Sequence, residues 1–77
     1  MPVNTYNTIV VMPDNSHLEV TYYCKEVATG KEKQTQLFIQ LHDCICKLSI
    51  EKSLCKTPGA LEKIVHNKVI HTRGHLC

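Results

Sequence analysis

From Lys33 to Cys55 the chain sets its apolar residues at helical intervals. Phe38, Leu41, Ile45 and Leu48 recur at steps of three, four and three, and Leu37 and Cys44 widen the same stripe. Gln36, Gln40, Asp43, Lys47 and Glu51 follow a complementary polar line. Residues three and four apart share one face of an α-helix, so this spacing predicts a long amphipathic helix over the segment. A rival reading exists for the same residues. Leu37, Ile39 and Leu41 alternate, as do Cys44, Cys46, Leu48 and Ile50, and the change of phase at His42-Asp43 would place a tight turn between two strands. Ile39, Cys46 and Ile50 lie off the helical stripe and favour the rival; the two complementary stripes favour the helix, which is the reading adopted.

Upstream the pattern is that of strands. Thr8 to Met12 is β-branched and apolar and ends at Pro13-Asp14-Asn15-Ser16, a run of turn-forming residues. From His17 to Lys25 the chain alternates, with Leu18, Val20, Tyr22 and Cys24 on one face and Glu19, Thr21, Tyr23 and Lys25 on the other. That is a half-buried strand, and the two strands make an antiparallel hairpin that needs a cover. The polar stretch from Glu26 to Gln34, broken at Thr29-Gly30, leads to the helix, which starts near Lys31 or Glu32 and stops before Pro58. Thr57-Pro58 then reads as a cap followed by a first-turn proline. Ala60, Leu61, Ile64 and Val65 continue at helical spacing, giving a second helix from Pro58 to about His66. Asn67 and Gly74 offer stops, and Lys68 to Thr72 suits either more helix or a short edge strand. The expected fold is α+β, a single domain over residues 1–77. An N-terminal hairpin lies under the long helix and a shorter C-terminal helix, in the order ββαα or ββαβ.

Size limits what such a fold can bury. A chain of 77 residues hides only roughly 60 per cent of its unfolded surface, and this one has no Trp and a single Phe. The shortage of core material points to a homodimer. No window approaches a membrane span, and the first residues lack the charged and apolar regions of a secretory signal, so the expected location is the cytoplasm. Five cysteines are an odd number for a disulfide framework, and in a reducing compartment they read as free, buried thiols.

Candidate chemistry is sparse. Cys44, Cys46 and the tail residues His66, His71, His75 and Cys77 are of the types that ligate zinc, but their spacings do not match the common knuckles. Residues two apart point to opposite sides of a helix, so only the hairpin reading would let Cys44 and Cys46 share a metal. No metal or cofactor is therefore assigned. His42-Asp43-Cys44 holds three catalytic residue types, but sequence neighbours do not face one another, and Gly30, Gly59 and Gly74 are too scattered to cradle a phosphate. No enzyme activity is expected. Residues 1–55 carry five lysines against six acids, whereas residues 56–77 carry three lysines and an arginine against Glu62 alone. That asymmetry raises nucleic-acid binding through Lys63, Lys68 and Arg73, although the segment has no aromatic residue to stack on a base.

The leading expectation is a non-enzymatic, regulatory or inhibitor-type domain that binds another protein, including a second copy of itself, through an apolar helix surface. Its residues would be Ile39, Cys46, Ile50 and Leu54, a second apolar line beside the core-facing stripe. Compact chains of this size are common among viral and phage accessory proteins. A nucleic-acid module is the alternative.

Overall fold

The computed structural model describes residues 4–42 and 44–75. Four strands come first: β1 (Tyr6–Val11), β2 (His17–Thr29), β3 (Glu32–Leu41) and β4 (Cys44–Ser49). A 3-10 turn (Lys52–Lys56) and helix α1 (Pro58–His71) follow. Each strand pairs antiparallel with the next, so the sheet order is the chain order and β1 and β4 are its edges.

This overturns the expected ββαα or ββαβ arrangement, because the long helix does not form. Its residues make β3, β4 and the start of the 3-10 turn, and Leu37 pairs with Leu48, Ile39 with Cys46 and Leu41 with Cys44. The helical spacing has a physical origin. Alternation is in odd numbers along β3 and in even numbers along β4, and both faces of the hairpin carry apolar residues. Phe38 and Ile45 lie on one face of the sheet, Leu41 and Leu48 on the other, and the four together imitate a period near 3.6. The rival hairpin describes this segment.

Local chemistry explains the turns. Between β1 and β2 the Met12 amide donates to the Ser16 carbonyl (2.8 Å) and the Asn15 amide to the Met12 carbonyl (2.8 Å). Asn15 adopts φ 68°, a left-handed conformation that asparagine tolerates. The Asp14 carboxylate accepts from the Ser16 hydroxyl and amide, which holds its pKa below the ordinary value. Strands β2 and β3 are joined by Gly30 and Lys31. With φ 64°, Gly30 supplies the positive angle at the first position of a two-residue hairpin. His42 takes φ 56° after β3.

One face of the sheet is covered. Leu61, Val65 and Val69, four apart on α1, are fully buried with Val10 and Val20 of β1 and β2 and Leu37 and Ile39 of β3. Tyr22 joins this core and stacks on Tyr6 with ring centroids 5.6 Å apart. Burial, and then Glu62 and Tyr6, push the Tyr22 phenol above its ordinary pKa. Pro58 begins α1 as expected, and Thr57 precedes it. The Thr57 side chain makes no capping bond, while its carbonyl accepts from the Ala60 and Leu61 amides. The helix runs past His66 to His71, where the Thr72 hydroxyl donates to the Lys68 carbonyl (2.9 Å) and Gly74, at φ 80°, ends the turn.

Candidate functional site

The opposite face of the sheet has no cover among the described residues. Register places its side chains in cross-strand rows. Tyr23, Phe38 and Lys47 form one row across β2, β3 and β4, and Asn7, Thr21, Gln40 and Ile45 form the next across all four strands. Ile9 stands opposite Glu19, and Val11 opposite His17, at the far end. Directly opposed residues on one face of a sheet are near enough to touch, and here they do. The rings of Tyr23 and Phe38 stack at 5.1 Å with only 3° between their planes, and the Lys47 ammonium lies 5.5 Å from the Phe38 centroid. Phe38 is therefore sandwiched and only 8% exposed although it is on the uncovered face. The Thr21 hydroxyl donates to the Asn7 side-chain oxygen at 2.8 Å.

Around this rigid centre sit uncovered aliphatic side chains. Ile9 is 60% exposed, Val11 53% and Ile45 46%. Each leaves apolar surface in water. Charges of both signs lie along the strands: Glu19 and His17 at the Ile9 end, Lys25 and Lys47 on the other side of Thr21, and Glu32 beyond them at the β2–β3 tip. Exposed branched aliphatics around a stacked aromatic pair, with charges of both signs along the strands, make a surface suited to contact.

The residues singled out from sequence lie elsewhere. Ile39 is fully buried, and Cys46, Ile50 and Leu54 are packed against the core from β4, its extension and the 3-10 turn. They line no helix, since the helix that grouped them is absent. The structure does not bring the three cations together either. Lys63 and Lys68 are five positions apart on α1, about 140° around its axis, and Arg73 follows the helix end. Lys68 borders a groove with Leu48, Ile64 and Ile70, whereas Arg73 borders a cavity of about 480 Å³ with Met12, Leu18 and Leu41.

Nor do the cysteines behave as one class. Cys24, Cys46 and Cys55 are free, but Cys44 is disulfide-bonded, which corrects the expectation that all are free thiols. Cys77 and Asp43 lie outside the described residues. A disulfide removes Cys44 as a zinc ligand beside Cys46, and among the described residues no three His, Cys, Asp or Glu side chains gather as a metal site.

One polar cluster had no signal in the sequence. The Thr8 hydroxyl on β1 donates to Glu62 (2.9 Å) and lies 2.9 Å from His66 Nε2, and Glu62 lies 3.6 Å from that same nitrogen. Hydroxyl, imidazole and carboxylate meet here, yet not in a catalytic order. In a nucleophilic triad the carboxylate holds the far ring nitrogen and leaves the hydroxyl to the near one. Here Glu62 takes the hydroxyl proton itself, so the cluster ties α1 to edge strand β1. Glu62 and His66 are four apart on one helix face, but Thr8 is 54 residues from Glu62, a distance that periodicity does not reach.

No family model, curated protein or solved structure matches this chain. The functional reading therefore rests on the open face.

Proposed function

We propose that this chain is a non-enzymatic protein-binding domain that acts through the open face of its sheet, and that the face pairs with a second copy. The observation that carries this is the open apolar face itself, with Ile9, Val11 and Ile45 exposed around the Tyr23–Phe38 stack and Glu19 and Lys25 spaced evenly on either side of the level of Tyr22. A two-fold axis lying across the strands level with Tyr22 reverses the strand direction of the second sheet. Each Glu19 then comes level with the other copy's Lys25, and each Thr21 with the other copy's Tyr23. Such a contact is self-complementary, as two-fold interfaces require. It also supplies apolar burial that the small core lacks. No observation favours nucleic acid, since Phe38 is closed between Tyr23 and Lys47 and offers no free ring face to a base. No helix among the described residues is long and apolar enough to cross a membrane. The Cys44 disulfide fits an oxidising surrounding better than the cytoplasm first expected.

Charge exchange tests the pairing. Glu19 and Lys25 are six residues apart on one strand, about 20 Å, and do not meet within a chain. Glu19→Lys alone, or Lys25→Glu alone, should weaken dimerisation about tenfold, since each pair occurs twice in the dimer. The double exchange should restore it in sedimentation equilibrium. A double variant no tighter than either single one rejects this arrangement.

A further inference from the structure

We propose that Cys24 and Cys55 are a redox pair that closes to a disulfide and fastens the 3-10 turn to strand β2. The two residues come from distant parts of the sequence, β2 and the 3-10 turn, and their side chains come to one place, where both line the same small cavity. Both are free and half-buried. The cavity, of about 190 Å³, is also bordered by Lys25, Glu26, Lys52 and Lys56. An exposed ion pair, Lys52 to Glu26 at 3.2 Å, also spans the turn and the strand. Cys46, the other free cysteine among the described residues, packs against the hydrophobic core as Cys24 does but does not line that cavity.

The arrangement assigns the two sulfurs different roles. Burial first, and then the neighbouring Cys55, push the Cys24 thiol up to about 12, so Cys24 is the poorer first attacker and gives up its proton only to the departing glutathione. Cys55, beside Lys52 and Lys56, is the attacking sulfur. With glutathione disulfide as oxidant, the Cys55 thiolate attacks one of its sulfurs, forms a mixed disulfide and expels one glutathione thiolate. The Cys24 sulfur then attacks the Cys55 sulfur, and its proton leaves with the second glutathione as a thiol. Two protein thiols are oxidised, and one glutathione disulfide is reduced to two glutathiones. The oxidised chain has a long loop closed between β2 and the 3-10 turn, which limits its unfolded states. This inference is independent of the open-face reading, because neither sulfur lies on that face.

Equilibration of the full chain with mixtures of glutathione and glutathione disulfide tests it, read by intact mass and by mapping of linked peptides. The expected product has a Cys24–Cys55 link, a mass lower by two hydrogens and a melting temperature raised by roughly ten degrees. Cys46→Ser should form the same link. Cys24→Ser should stop at a stable glutathione adduct on Cys55. If the unaltered chain in excess glutathione disulfide keeps both thiols, carries separate adducts on each, or links either one to Cys46, the pair is not a redox unit. That readout needs no variant to fold.

Discussion

Gly74 shows how much one position can constrain this chain. Its φ of 80° is left-handed, and a Cβ added there would come within 3.1 Å of Leu18 Cδ1. Gly74→Ala should therefore destabilise the protein by about 1–2 kcal/mol in urea unfolding. Gly59 sits in the first turn of α1 with open space around it, so Gly59→Ala should be neutral or stabilising by a few tenths of a kcal/mol. Two acids with raised pKa values, buried Tyr22 and half-buried Cys24, set the response to alkali. Cys24 is raised to about 12 and Tyr22 is raised as well, both chiefly by burial. A raised pKa means that the unfolded chain ionises first. Stability should thus be intact below the ordinary thiol range and fall as pH climbs from about 9 toward 12. Unfolding of the reduced chain in that window should be less pH-dependent in Cys24→Ser. Ile39 is the residue whose environment differs most from expectation. Fully buried between β2 and β4, it should not tolerate a carboxylate, and Ile39→Glu should leave the chain unfolded by circular dichroism.

Strands and helix differ in how plainly the sequence announces them. The first hairpin is legible because β2 has one apolar face, and Pro13 to Ser16 has few alternatives to a turn. Helix α1 is legible through Pro58 and the repeat of Leu61, Val65 and Val69, although its last turn depends on the left-handed residues Arg73 and Gly74 that follow. The second hairpin was obscured by its own open face. Phe38 and Ile45 are apolar where a half-buried strand would be polar, and these residues both complete the false helical stripe and build the candidate site. Half of the site was nonetheless visible, since Glu19, Thr21, Tyr23 and Lys25 share the outward phase of β2. Its partners on β3 and β4 follow only once the register is known. At this scale α1 is the cover without which the sheet is bare. Leu61→Ala should cost about 2–5 kcal/mol, comparable to the roughly 3–5 kcal/mol that a core of this size supplies, so guanidinium unfolding of that variant should show little or no folded baseline.

The whole molecule is a meander with one side closed and one side open. Its extents of 44 × 24 × 21 Å describe an elongated body, and its closed side already uses the helix and the 3-10 turn. Apolar residues that remain on the other side are the basis for proposing a partner, and the placing of Glu19 and Lys25 on either side of the level of Tyr22 is the basis for proposing a second copy. Ile9 is the sharpest probe of this surface, because it is the most exposed large hydrophobic residue among the described residues and lies on an edge strand away from the core. Ile9→Glu should leave the monomer folded while placing a second carboxylate beside Glu19. The decisive measurement is sedimentation equilibrium of the unaltered chain with its Cys44 disulfide intact, with Ile9→Glu run alongside. Twice the chain mass for the unaltered protein, and a folded monomer for Ile9→Glu, is the result expected of an interface on the open face. A monomer at every concentration, or a dimer that Ile9→Glu leaves equally tight, would contradict it.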